Sequence, residues 1–122
     1  MKAQPKTWVW RHRDKKDMMA LNRGRKVGTF ANPADFTVGE PGRTYWAEVK
    51  SCSGDSFPYS QIEPAQRSAA TICASIGAPY FFYIHSLKLN RWFTLSAEQF
   101  CADVKAGKKS RRFEELTPCT VM

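Results

Sequence analysis

The segment RTYWAEVKS, residues 43–51, carries the residue types that could do chemistry, and it reads as a β-strand because aromatic and β-branched residues recur through it. Side chains alternate along a strand, so Trp46, Glu48 and Lys50 share one face while Tyr45, Ala47 and Val49 share the other. The preceding DFTV is a second short β-prone run, and GEPG between the two is a turn. If Pro41–Gly42 is the tip of this hairpin, paired positions sum to 83 and Asp35 stands opposite Glu48. A two-residue Pro–Gly loop is not the favoured hairpin turn. A register one residue away is therefore also open, and it too leaves Asp35 and Glu48 close together on neighbouring strands.

Two carboxylates and a lysine converging at a strand end suit phosphodiester hydrolysis. Asp35 and Glu48, with the Val49 carbonyl between them, offer hard oxygen ligands to Mg²⁺, for which Mn²⁺ could substitute. Such an ion polarises a phosphodiester, lowers the pKa of an attacking water and stabilises the leaving oxygen. Lys50 would position that water or neutralise charge on the phosphorane. The same triplet is also the make-up of an ordinary cross-strand charge cluster, and E-x-K alone is common enough that this plainer reading stands beside the catalytic one.

The elements that must hold these residues follow along the chain. After the hairpin, SCSGDSFPYS reads as a loop. Pro64 is placed to begin a helix through AQRSAATICASI that stops at Gly77, with Ala65, Ala69, Ile72 and Ile76 as its apolar stripe. PYFFYIHS, nearly all apolar, should be a buried central strand, and RWFTL its partner. Ser96 opens S-x-x-Q, a capping box for a second helix. A further short helix is expected at about Arg13–Asn22, and the tail after residue 104 reads as polar and frayed. The fold expected is a single α/β domain over 1–122, a mixed β-sheet flanked by α-helices.

The charge is unevenly spread over the 122 residues, whose net is +8. Residues 1–26 hold nine basic and two acidic groups, residues 105–122 five and two, and residues 27–104 five and seven. A slightly acidic body with two basic ends reads as a footprint for nucleic acid. Its candidate phosphate contacts are Lys6, Arg11, Arg13, Lys15, Lys16, Arg23, Arg25, Lys26, Lys108, Lys109, Arg111 and Arg112. Cys52, Cys73, Cys101 and Cys119 are too far apart in sequence to form a close-spaced zinc motif and read as free thiols. No apolar run is long enough to cross a bilayer and the N-terminus is charged throughout, so the expectation is a cytoplasmic protein of a bacterial or phage-infected cell, with no membrane partner. Trp8 and Trp10, interleaved with basic residues, read equally as base-stacking rings or as packing groups; Trp46 and Trp92 read as packing groups.

The run from Asp35 through Glu48 and Lys50 to Phe57–Pro58 and Gln66 resembles the PD-(D/E)xK nuclease superfamily, and within it the RecU-type Holliday junction resolvases and their phage relatives. The resemblance extends over about residues 33–100. It implies a restriction-endonuclease-like fold, Asp35 and Glu48 as metal ligands, Lys50 as the catalytic lysine and Gln66 as a helper in the first turn of the helix. It also implies a homodimer acting on branched DNA, most of all the four-way junction. Two features depart from the family. No Glu precedes Glu40, leaving only Asp14 or Asp17 as an additional N-terminal ligand, and the hairpin is too short for the long insertion with which RecU proteins enter a junction. Cleavage of another DNA structure in repair or restriction, and a DNA-binding module without catalysis, are the alternatives.

Overall fold

A computed structural model describes residues 7–12 and 34–119 of the chain. In chain order the strands are β1 (Trp8–Arg11), β2 (Phe36–Glu40), β3 (Arg43–Cys52), β4 (Ser56–Pro58), β5 (Tyr80–Ser86), β6 (Arg91–Ser96), β7 (Ser110–Arg112) and β8 (Thr117–Cys119). The helices are α1 (Pro64–Ile76) and α2 (Ala97–Lys105). Six strands make one sheet in the order β1-β2-β3-β5-β6-β8, while β4 and β7 form a separate pair. β3 and β5 run parallel and the other neighbours antiparallel, so α1 is the crossover that a parallel pair requires. This is the mixed α/β sheet expected from the sequence.

The hairpin has the register that a Pro41–Gly42 tip dictates: Glu40 pairs with Arg43 and Phe36 with Ala47. Gly42 sits at φ +77°, the positive φ that a type II turn needs at its third position, and proline suits the position before it. α1 begins at Pro64 and ends on Gly77, which takes the left-handed conformation at φ 74°. α2 is capped by Ser96, whose Oγ accepts the Gln99 N–H at 3.1 Å. The reciprocal half of that expected capping box is not made by Gln99, whose amide donates instead to Asp103.

Both described helices cover one face of the sheet. Tyr80, Phe82 and Ile84 of β5 and Phe93 and Leu95 of β6 pack there with Ala70 and Cys73 of α1 and Phe100 of α2. Phe82 meets Phe100 edge-on with ring centroids 5.5 Å apart, and Tyr59 meets Phe100 at 5.0 Å. The opposite face carries a smaller cluster of Val38, Tyr45 and Ala47, flanked by Phe36, Phe81 and Tyr83. The expected buried central strand is therefore central, with one face sealed under the helices and the other, bearing Phe81 and Tyr83, half-buried.

Three expectations change. The apolar stripe assigned to α1 is only partly inward: Ala69 packs against the core, but Ile72 and Ile76 are 59% and 72% exposed, while Gln66, Ala70 and Cys73 form the buried face. The tail is not frayed, because β7 pairs with β4, β8 pairs with β6, and Phe113 and Leu116 are buried in the main core. The loop SCSGDSFPYS contains β4, which is the partner that β7 needs. Trp8 and Trp10 lie in a strand that the sequence did not announce, and the helix expected at about 13–22 lies outside the described residues. Among the described residues no helix is long and apolar enough to cross a membrane.

Candidate active site

Asp35 and Glu48 are brought together by the place where β2 stops. Phe36 is the first paired residue of β2, opposite Ala47, and the next step of that register sets Asp35 against Glu48. From there to Cys52, β3 continues beside β5, Glu48 pairing with Phe82 and Lys50 with Ile84, but β2 is no longer its neighbour. The edge thus left open is occupied by the Asp35 carboxylate, whose Oδ2 accepts the Val49 N–H at 3.0 Å. An extended residue turns its N–H and C=O toward the same side of the strand, so the Val49 carbonyl faces this edge as well. The Asp35 position is fixed a second time by β1, since the His12 N–H donates to the Asp35 backbone carbonyl at 2.7 Å. His12 also shares a 2.6 Å hydrogen bond with Thr37 Oγ1 through Nε2.

Glu48 is 3% exposed and on the helix-covered face. Its Oε2 lies 3.4 Å from Lys50 Nζ, and its Oε1 is buried without a hydrogen-bond partner. Burial first, and the neighbouring Asp35 second, push the Glu48 carboxyl up from 4.5 to about 7, while Lys50 pulls it down. A buried carboxylate oxygen left unpaired is costly. The pair as it stands would hold one proton or a cation near neutrality.

The donor set fits a hard divalent cation: two carboxylates in contact, an open backbone carbonyl between them, and an oxygen with nothing else to bind. Among the described residues no group of three or more His, Cys, Asp and Glu is placed to share a metal, so the described residues bring two acidic groups together there. Asp14 and Asp17, the other acidic candidates, lie outside the described residues.

Gln66 has a capping role. It is buried in the first turn of α1, and its Oε1 accepts the Glu63 N–H at 3.1 Å, closing the helix cap. Tyr80 is a neighbour that the sequence reading left in the core. Its phenol is held far above its ordinary range by burial first and by Glu48 next, with Asp35 also contributing, so a neutral O–H lies in the field of both carboxylates. The parallel register that sets Tyr80 beside Trp46 is fixed by the crossover through α1, which leaves no local signal in the sequence.

The basic residues divide by what they touch. Arg111 is committed to Asp103 by two hydrogen bonds of 2.8 and 2.9 Å and is mostly buried. Lys108 lies 3.6 Å from Glu115 and Arg112 2.9 Å from Glu114, both pairs at the surface. Arg11 and Lys109 are exposed. Lys6, Arg13, Lys15, Lys16, Arg23, Arg25 and Lys26 lie outside the described residues.

The sequence matches no protein family model and no curated protein. Among solved structures, the chain is similar to Hjc, a Holliday junction resolvase from the archaeal hyperthermophile Archaeoglobus fulgidus. The TM-score is 0.42 and the identity 15%, over 68% of this chain and 74% of that one.

Proposed function

We propose that the protein is a Mg²⁺-dependent endonuclease that hydrolyses phosphodiester bonds in branched DNA, with the four-way junction as its foremost substrate. The observation that carries this reading is the convergence of Asp35, Glu48 and Lys50 on an open strand edge, with Glu48 Oε1 buried and unpartnered. Bound there, the cation would polarise the scissile phosphate and make water a nucleophile at neutral pH. Asp35 and Glu48 would hold it through carboxylate oxygens, and the Val49 carbonyl completes the set that the described residues offer. The Val49 N–H orients Asp35 in advance, which spares the carboxylate a reorganisation on binding. Lys50, with its side chain 14% exposed, keeps its ammonium at the boundary between protein and solvent. There it can orient the attacking water or offset charge on the phosphorane. A homodimer, which the resemblance read from the sequence implies, would supply the second nick that resolving a junction demands.

The test is cleavage of a labelled four-way junction, a flap and a linear duplex, each with Mg²⁺, with Mn²⁺ and with chelator. Symmetric, metal-dependent nicking of the junction should fall by about a hundredfold or more in Lys50→Ala and disappear in Asp35→Ala. Equal cleavage of flap or duplex would keep the nuclease and remove the junction preference. Tight binding without cleavage under either metal would overturn the enzymatic reading.

A further inference from the structure

The helix-covered face of the sheet continues past the carboxylates to an edge where two indoles lie open. β1 is the outermost strand, and Trp8 and Trp10 project from the same side of it, 63% and 50% exposed, with ring centroids 5.5 Å apart in an edge-to-face pair. Trp10 lies over Gly39, its ring 3.4 Å from where a Cβ would stand, which is van der Waals contact. Trp10 pairs with Thr37, and Thr37 with Trp46, on the face that also bears Glu48 and Lys50. Between the indoles and the carboxylates lie His12 and Trp46, with ring centroids 6.4 Å apart.

Two large exposed rings on a charged chain call for an occupant. The sequence they stand in selects one: residues 1–26 hold nine basic groups against two acidic, Arg11 being the one among the described residues, whereas residues 27–104 are slightly acidic. An aromatic surface set in cationic sequence complements a nucleic acid whose bases are free to stack and whose phosphates are free to pair.

We propose that Trp8 and Trp10 form a stacking platform for unpaired bases of a DNA strand, beside the phosphodiester site. This rests on the nucleic-acid reading above. Two strand spacings across the sheet and two residues along β3 separate the platform backbone from Glu48 by about 12 Å. A strand covers that span in roughly three to four nucleotides at the stacked rise. The platform would thus hold a strand that has left its duplex while a phosphate a few nucleotides away reaches the carboxylates.

Binding of a labelled single strand, a junction and a blunt duplex, measured by anisotropy in chelator, tests this without cleavage. Trp8→Ala with Trp10→Ala should weaken single-strand binding by about tenfold or more. Its salt slope and its blunt-duplex affinity should match those of the unaltered protein. Trp8→Phe with Trp10→Phe should recover most of the loss, and saturating single strand should quench tryptophan emission in the unaltered protein. Unchanged single-strand affinity, an equal loss on blunt duplex, absence of quenching, or a changed oligomeric state in the alanine variant would each overturn the platform. Stacking with no cleavage under Mg²⁺ or Mn²⁺ refutes the nuclease and leaves the platform standing. Cleavage with unchanged single-strand binding in the alanine variant does the reverse.

Discussion

Because Glu48 carries a carboxyl held at about 7, by burial and then by Asp35, the folded protein keeps a proton there that the unfolded chain releases near pH 4.5. The stability this contributes is fully present below the unfolded value and is lost as pH rises through about 7. Glu48→Gln should therefore raise the melting temperature at pH 8, by the equivalent of roughly 1–3 kcal/mol, and leave it unchanged at pH 4. Thermal melts of both proteins at the two pH values measure this; parallel behaviour would show that Glu48 is paired in a way these contacts omit. Mg²⁺ should stabilise the unaltered protein at pH 8 and the glutamine variant much less. At this scale the sequence was informative where the rule is local. Alternation put Glu48 and Lys50 on one face, and the Pro41–Gly42 tip put Asp35 opposite Glu48. Gln66, which the resemblance implies as a helper at the site, closes the α1 cap through its carbonyl, a role open to any glutamine three residues into a helix.

Elements were less legible where burial depends on what lies across from them. In α1 the apolar residues Ala65, Ala69, Ile72 and Ile76 recur at helical spacing, but the face turned to the sheet is Gln66, Ala70 and Cys73, about one residue round. A glutamine and a cysteine on the inner face conceal it from any reading by hydrophobicity. Ile72→Ser should accordingly move stability by less than about 0.5 kcal/mol, whereas Ala70→Leu, inserted at a fully buried position, should cost roughly 1–3 kcal/mol; chemical denaturation separates the two. The tail was read as loose because it is short and polar, and its anchors are long-range pairings, β7 with β4 and β8 with β6, fastened by an ion pair. Asp103 of α2 accepts from Arg111 of β7, from Gln99 and from the Tyr59 hydroxyl. Arg111 above all holds the Asp103 carboxyl well below the usual carboxylate range, with Tyr59 and Gln99 adding to it. Its stabilisation is present above about pH 4 and lost as the pH falls below that value. Asp103→Ala should destabilise the fold by about 3 kcal/mol at pH 7, and by progressively less toward pH 2.

At the scale of the whole molecule, the net charge of +8 overstates what the described C-terminal basic residues leave unpaired. Arg111 is turned inward to Asp103, and Lys108 and Arg112 each lean on a glutamate. If the C-terminal strand pair touches phosphates, Arg112→Ala should lower the slope of log affinity against log salt by about one, measured by titration at several salt concentrations. Arg111→Ala should instead lower the melting temperature. The early termination of β2 has a consequence for observation. The Val49 amide proton points at Asp35 Oδ2 across an edge that no strand fills, so its resonance reports the state of one carboxylate. In a ¹H–¹⁵N spectrum that single cross-peak should move when a cation draws on Asp35. Its solvent exchange should slow or quicken with site occupancy while amides deep in β5 stay still, giving a gauge of the site that requires neither substrate nor turnover.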